Sequence, residues 1–445
     1  MDTNDQVHSS RRKFLKTSAL GVAAAVPAVM LVGCSSGQAP VASTGSASAT
    51  GSTDSTGLPA SILELKSVAD KAVPITDGER QERLAKAQRL MAENKIDAMY
   101  MDGGRAMEYF TGMHWFTSER LMGFVLPKSG DPIYITPAFE ESRAREQIKF
   151  GHDVRVWQEH EDPYQRVAEV MAELHASTGS LGIEEQVPYF RSARIAEALP
   201  QARLVSAIPV TGGCRAVKSP AELALMQIAN EATLAAYRAI YLGLKPGMTQ
   251  QDVAAWLAAA YERQGVTGGA GINVGEYTAL PHGSIAPQKI VEGTPLLMDG
   301  GCRLHGYQSD ITRTFTLGKP SDKMKKVFDI VLQAQTAALK AARPGASMES
   351  VDAAARQVVS DNGYGPDYKY FSHRLGHGIG MDMHEWYYLV RGNKRPLETG
   401  MTFSDEPGIY IPGEFGVRLE DDMVITADGA RLFTPQSPSL EHPFA

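Results

Sequence analysis

The chain has 445 residues, of which 43% are hydrophobic and 21% are charged, and its formal net charge is −7. This composition is ordinary for a globular protein, and the length allows about two or three domains. The negative balance and the lack of a basic stripe predict no nucleic-acid partner. Only three cysteines are present, Cys34, Cys214 and Cys302, which excludes a disulfide scaffold and a thiolate metal cage.

The first 34 residues predict an export signal. Residues 10–16, SRRKFLK, carry a twin-arginine pattern, and a modestly apolar stretch of residues 17–33 follows. That stretch is short for a membrane span and ends in Leu-Val-Gly-Cys, which resembles a bacterial lipobox. We therefore expect export by the twin-arginine route and a lipid anchor on Cys34, facing the periplasm or cell exterior. The alternatives are a plain transmembrane anchor or a chance arginine pair.

Residues 35–57 and 58–212 predict a tether followed by a first domain. The tether is rich in Ser, Gly, Ala and Thr and has too few apolar residues to form a core. In the first domain we predict helices over 79–94 and 164–177 and strands over 96–101, 123–127, 132–136 and 181–184. Strands that alternate with helices are typical of an α/β layer.

Residues 213–445 predict a second domain with a weak internal duplication. Ser219 and Glu222 form a predicted capping box that starts a helix to about residue 242. A Pro-Gly turn at Gly247 and a second helix to about residue 264 follow. The same order of helix, Pro-Gly turn and helix returns around Gly345, an offset of 98 residues. Two related halves would face each other across a pseudo-twofold axis.

The stretch PLLMDGGCRLHGYQSDITRTFTLG, residues 295–318, predicts two short strands around a Gly-rich reversal. Asp299 ends the first apolar run, and Asp310 lies in the second. A carboxylate at the end of an apolar strand is costly unless a positive charge meets it. Two such carboxylates on neighbouring strands are candidates for binding one cation.

Three candidate ligands follow downstream: His377, Glu406 and Glu420. Five oxygen and nitrogen ligands, four of them carboxylates, exceed one structural zinc site and suit two divalent ions that share bridging carboxylates. Water bridging two such ions is acidified toward hydroxide, so the natural reaction is hydrolysis of an amide. Nearby polar residues are candidates to assist an oxyanion, a leaving amine or a carboxylate. They are His282, His384 and Arg418.

Five segments together resemble the pita-bread metallopeptidases, the group of aminopeptidase P, prolidase, methionine aminopeptidase and creatinase. They are MDGG from Met298, SDITRTF from Ser309, GHGIG from Gly376, DEPGIY from Asp405 and GVRLED from Gly416. The eleven-residue step between the two aspartates and the seven-residue step from His377 to His384 are also similar. YFTG from Tyr109 and VKSP from Val217 resemble the creatinase-type first domain and its junction.

The resemblance implies a creatinase-like α/β first domain followed by a pita-bread catalytic domain, an α/β (α+β) protein overall. It implies that His282 and His384 act around the scissile bond and that Arg418 supports the ligands. The implied ligands are Asp299, Asp310, His377, Glu406 and Glu420. The implied ions are two Mn²⁺, with Co²⁺ or Zn²⁺ as substitutes. The implied substrates are Xaa-Pro dipeptides or peptides, and the implied assembly is a homodimer in which the first domain partly covers the neighbour's site.

The sequence departs from the family pattern at two positions, Tyr388 and Asp405. Some prolidases have an arginine four residues after the His384 position that holds the dipeptide carboxylate, whereas Tyr388 stands there, with Arg391 three residues on. Asp405 precedes Glu406 and is either a supporting acceptor or a solvated turn residue. All five ligands are present, which favours a peptidase over a creatinase. The alternatives are a metal-dependent C–S lyase, similar to dimethylsulfoniopropionate lyase, and a non-catalytic metal-binding lipoprotein.

Overall fold

The structure is a computed structural model that describes residues 57–444. The predicted signal and all but the last residue of the predicted tether lie outside these residues. Within the described range, no helix combines the length and the apolar character that crossing a membrane requires.

The first layer is a mixed six-stranded sheet with helices packed on it, as the alternating pattern predicted. Its strands are β1 Ala98–Asp102, β2 Gly123–Pro127, β3 Ile133–Pro137, β4 Val154–Trp157, β5 Ser180–Ile183 and β6 Arg203–Ser206. Its helices are α1 Ala60–Leu63, α2 Asp77–Glu93, α3 Arg105–Thr111, α4 Glu141–Gln147, α5 Pro163–Glu173, α6 Tyr189–Ala198 and α7 Ile208–Arg215. The strand order is β4-β3-β2-β1-β5-β6, and β1 pairs antiparallel with β2 and parallel with β5.

The remaining residues form two halves, each with a helix pair and an antiparallel sheet. The first half contains α8 Pro220–Gly243, α9 Gln250–Gln264, β7 Thr267–Val274, β8 Pro295–Leu304, β9 Tyr307–Gln308 and β10 Ile311–Thr316. The second contains α10 Asp322–Ala341, α11 Met348–Val359, β11 Gly376–Gly378, β12 Glu385–Leu389, β13 Thr402–Asp405, β14 Gly408–Ile411, β15 Phe415–Arg418, β16 Asp421–Ile425 and β17 Ala430–Leu432. The strand orders are β10-β8-β7 and β12-β11-β13-β16-β17, with β14 and β15 as a separate hairpin.

The structure contains the predicted repeat. Gly247 and Gly345 both adopt positive φ, at +90° and +81°, as a turn between two helices requires. Each turn also binds a later segment of its own half through the backbone. The Gly247 N–H donates to the Ile290 carbonyl at 2.8 Å, and the Gly345 N–H donates to the Leu397 carbonyl at 2.9 Å. The two halves therefore share a local hydrogen-bond pattern as well as an element order.

One strand boundary was predicted wrongly. β8 does not end at Asp299 but continues through Gly300 and Gly301 to Leu304. A Cβ at Gly301 would lie 1.7 Å from the Ser309 carbonyl oxygen, so the glycines allow close approach of neighbouring chain and do not form the reversal. The chain reverses instead between β8 and β9, and Asp310 lies immediately before β10 and not within it.

Candidate metal centre

All eight residues predicted for the site line one cavity of about 560 Å³. They are His282, Asp299, Asp310, His377, His384, Glu406, Arg418 and Glu420. Strand ends position most of them. Asp299 lies on β8, His377 lies on β11, and Glu406 directly follows β13. Glu420 lies between β15 and β16, where its backbone pairs with Thr312 of β10 and joins the two halves.

The candidate ligand atoms lie close together. His377 Nε2 is 3.7 Å from Asp310 Oδ2 and 3.4 Å from Glu406 Oε1. One ligand atom each from Asp310, His377 and Glu420 lie within 4.8 Å of one another. Donors that share an ion through bonds of about 2.2 Å lie roughly 3–4.5 Å apart. These atoms are therefore at separations that a common cation would give.

Thr312 joins the two halves of the site, and sequence analysis did not identify it. Its Oγ1 lies 2.7 Å from Asp299 Oδ1 and 2.6 Å from Glu420 Oε2. The hydroxyl has one proton, so it can donate to only one of these carboxylates at a time. The available signal was the two-residue spacing from Asp310, because residues two apart in an extended segment face the same side.

The cavity concentrates negative charge that protein cations leave uncompensated. Burial raises the pKa of Asp310 and of Glu420 well above the ordinary range, and the neighbouring carboxylates add to both shifts. Burial also raises the pKa of Glu406 to about 7. Within residues 57–444, no lysine or arginine lies within 4.0 Å of these three carboxylates. Buried acids without a partner are costly, so this donor set fits bound divalent cations.

Asp299 differs from the other three acids because Arg418 neutralises it. Arg418 Nη2 lies 2.6 Å from Asp299 Oδ2. Burial alone would raise the pKa of Asp299, but the Arg418 charge and the Thr312 hydrogen bond lower it below its ordinary value. Asp299 is therefore ionised, and contacts with Arg418 and Thr312 fix its position.

The imidazole of His377 has the orientation of a metal-binding histidine. Its Nδ1 lies 3.0 Å from the Gly378 carbonyl oxygen, which places the proton there and leaves the Nε2 lone pair facing the acids. Burial lowers its pKa to about 3, and His384 adds to this shift. The His384 ring packs edge-on against it, with centroids 4.0 Å apart. His282 and His384 are both exposed to the cavity.

Sequence analysis also missed a chain of polar contacts behind Arg418. The Arg418 guanidinium donates to the Tyr410 hydroxyl at 2.7 Å, and His373 Nε2 lies 2.7 Å from the same hydroxyl. Arg374 lines the cavity as well. Tyrosine and histidine in a glycine-rich segment are indistinguishable from packing residues until the fold brings them together.

Asp405 is not a solvated turn residue. It is the last residue of β13, is fully buried and lies opposite Asp421 of β16. Burial raises its pKa well above the ordinary range, with Asp421 as the next cause. Neither of its carboxylate oxygens has a hydrogen-bond partner within the described chain, so it is not a supporting acceptor either. It is a buried acid directly before Glu406 whose raised pKa favours the protonated form.

Comparison with known proteins decides the family. The profile described as Metallopeptidase family M24 matches residues 224–427, and that of the Creatinase/Prolidase N-terminal domain matches residues 83–217. The probable dipeptidase PepE of Mycobacterium tuberculosis is 35% identical over 353 residues, which are 78% of this chain and 92% of that protein. The chain belongs to metallopeptidase family M24.

Other M24 proteins show the same likeness over nearly their whole length. The Xaa-Pro dipeptidase of Lactobacillus helveticus is 32% identical over 366 residues, 80% of this chain and 98% of that one. The crystal structure of the dipeptidase PepE from Mycobacterium ulcerans superposes with a TM-score of 0.77 and 33% identity, covering 83% and 99% of the two chains. The predicted α/β fold, with its creatinase-type first domain and pita-bread catalytic domain, is confirmed, and this M24 chain is a metallopeptidase.

Proposed function

We propose that this M24 metallopeptidase removes the N-terminal residue from dipeptides or peptides that have proline in second place. The observation that carries the proposal is the convergence of four carboxylates and four histidines on one cavity. Pro281 and Met383 add apolar surface to the same cavity, which suits a proline ring. The Lactobacillus helveticus relative is an Xaa-Pro dipeptidase, and that activity fits these features.

The residues proposed to hold two divalent ions are Asp299, Asp310, His377, Glu406 and Glu420. We propose Mn²⁺ as the native ion, with Co²⁺ or Zn²⁺ able to replace it. When bound, such ions supply Lewis acidity, which lowers the pKa of water and polarises a carbonyl group. Thr312 and Arg418 set the positions of Asp299 and Glu420 in advance, because their contacts at 2.6–2.7 Å are made by the protein alone.

The two exposed histidines are proposed to handle protons at the scissile bond. Partial burial and the charge of Arg374 lower the pKa of His384, so its imidazole is neutral near pH 7. A neutral imidazole has one N–H donor and one acceptor nitrogen. His384 would hydrogen-bond the carbonyl oxygen as charge develops there, and His282 would face the leaving proline nitrogen.

Metal analysis combined with peptide assays tests this proposal. We expect about two Mn²⁺ per chain, cleavage of Ala-Pro, and little cleavage of Ala-Ala. Chelation should abolish turnover, and Mn²⁺ should restore it. A sulfonium substrate serves as the control for a C–S lyase on the same scaffold. Turnover of the sulfonium compound with no cleavage of Ala-Pro would contradict the proposal, as would peptide cleavage that survives complete metal removal.

We further propose that the protein is a homodimeric lipoprotein exported by the twin-arginine route. The arginine pair, the apolar stretch and the lipobox-like segment that ends at Cys34 support export and the anchor. The homodimer rests on the resemblance to creatinase-type peptidases. Expression of the full chain in a bacterium should place it in the membrane fraction, and Cys34→Ser should release it. Light scattering of the released form should give about twice the mass of one chain as measured for the same preparation by mass spectrometry. Membrane retention of the serine variant, or a mass of one chain, would contradict these two points respectively.

A further inference from the structure

Two arginines line the cavity, and the protein already uses one of them fully. Arg418 Nη2 donates to Asp299, and its Nη1 donates to the Tyr410 hydroxyl at 2.7 Å and the Pro281 carbonyl at 3.2 Å. Its Nε donates to Thr312 Oγ1 at 3.1 Å. Each of its three nitrogens has a protein acceptor, so Arg418 has little capacity left for a ligand.

Arg374 is the opposite case. It is half-buried on the cavity wall, and its guanidinium makes no hydrogen bond or ion pair with any residue of the described range 57–444. Its central carbon lies 4.1 Å from the centroid of the Tyr388 ring. Stacking on an aromatic ring orients the guanidinium plane and leaves its N–H edge available. Tyr388 pairs with His377 across β11 and β12, so this stack lies next to the candidate ligands.

The charge of Arg374 lies in the wall of the cavity, in the same lining as His377 and His384. A half-buried cation that lines a cavity and has no acid partner within residues 57–444 is a site for an anionic ligand.

We infer that Arg374 binds the C-terminal carboxylate of the substrate, so that the enzyme selects dipeptides. This inference rests on the proposed function. In Xaa-Pro the carboxylate belongs to the residue directly after the scissile bond, which keeps it inside the same cavity. A planar guanidinium binds a carboxylate through two parallel hydrogen bonds. In a longer peptide an uncharged amide takes that place and makes a weaker interaction with a charged donor.

The test compares Ala-Pro with Ala-Pro-amide, which differ only in the terminal charge. Assays use the Mn²⁺-loaded full chain as wild type, Arg374→Lys and Arg374→Met. We expect Arg374→Met to lower kcat/KM for Ala-Pro roughly 10- to 100-fold and for the amide less than about threefold. Arg374→Lys keeps the positive charge but cannot form two parallel hydrogen bonds to a carboxylate. It should therefore give an intermediate preference for Ala-Pro over Ala-Pro-amide. Calorimetric titration with L-proline and L-prolinamide should show the same order of binding preference without turnover.

Arg395→Met is the matched control. Arg395 also stacks on a tyrosine, 3.8 Å from the Tyr387 ring centroid, but it does not line the cavity. This variant should keep the wild-type ratio of acid to amide. Equal losses on both substrates in the Arg374 variants, or an unchanged ratio in both, would overturn the inference and leave the proposed function intact. Failure of the wild type to cleave either substrate would remove the proposed function and the inference with it.

Discussion

His384→Ala should lower kcat/KM for Ala-Pro by about 10²- to 10⁴-fold while leaving the metal content unchanged. The His384 ring faces the cavity and forms no hydrogen bond within residues 57–444, so its polar atoms are free for substrate. Its loss removes a proton donor or acceptor without removing a ligand proposed here. Steady-state kinetics and metal analysis of the same preparation measure the two effects.

His377→Ala and His152→Ala complete this experiment. His377 Nε2 faces Asp310 and Glu406, so its removal should lower metal content together with activity. His152 is exposed in the first domain and lies outside the cavity, so its replacement should change neither. An activity of His384→Ala within about threefold of the parent would show that this histidine does not take part in the reaction.

The parts of the site that could be predicted from sequence are those whose free-energy cost depends on the residues next to them in the chain. A carboxylate such as Asp299 in an apolar strand is unfavourable without a cation, and that cost is visible in a few residues. The Ser219 capping box is similarly local, and the structure contains both of its hydrogen bonds. The interactions of such features involve residues that are near in sequence, so a short stretch of sequence is enough to predict them.

Other features depend on distant residues and left little local signal. Thr312 looks like an ordinary strand residue, and its importance appears only when Glu420, 108 positions later, comes within 2.6 Å. The end of β8 was misplaced because a Gly-Gly pair is typical of both a turn and a close backbone approach. Asp405 was ambiguous for the same reason, since a Pro-Gly turn nearby suggests solvent while the sheet buries the side chain.

A second large effect is expected at Glu385, the residue after His384. Its carboxylate is buried and accepts from Arg215 at 2.5 Å and from Lys218 at 3.0 Å. Arg215 ends α7 and Lys218 precedes α8, so this cluster joins the first sheet layer to the catalytic halves. The same carboxylate accepts from the Met381 N–H at 2.8 Å, which fixes the segment that leads to His384.

Glu385 is ionised at neutral pH. Burial acts to raise its pKa, but the charges of Arg215 and Lys218 outweigh burial and lower it to about 2. A carboxyl whose folded pKa is lowered stabilises the protein above its unfolded pKa, near 4.5. That contribution is lost as the pH falls from about 4.5 through about 2. The ion cluster therefore contributes fully at neutral pH.

Glu385→Gln should lower the free energy of unfolding by about 3–5 kcal/mol, because it leaves two buried cations beside a neutral amide. Urea unfolding at pH 7 measures the loss. Glu414→Gln is the control: Glu414 pairs with Lys323 at 2.6 Å, but both side chains are about half exposed. That change should cost less than about 1 kcal/mol. Equal small losses in both variants would contradict the assignment of a buried, charge-dependent junction.

A double substitution identifies the cause of the loss. Glu385→Gln leaves Lys218 without an acid partner and Arg215 with Asp382 alone. If uncompensated charge is responsible, adding Arg215→Met to Glu385→Gln removes one of these two cations. The double variant should then be destabilised by about 1–3 kcal/mol less than the sum of the single losses. Strict additivity would instead assign the loss to packing. Because Glu385 also holds the Met381 backbone, kcat/KM should fall in both variants even where they remain folded, which connects the stability of the junction to the position of His384.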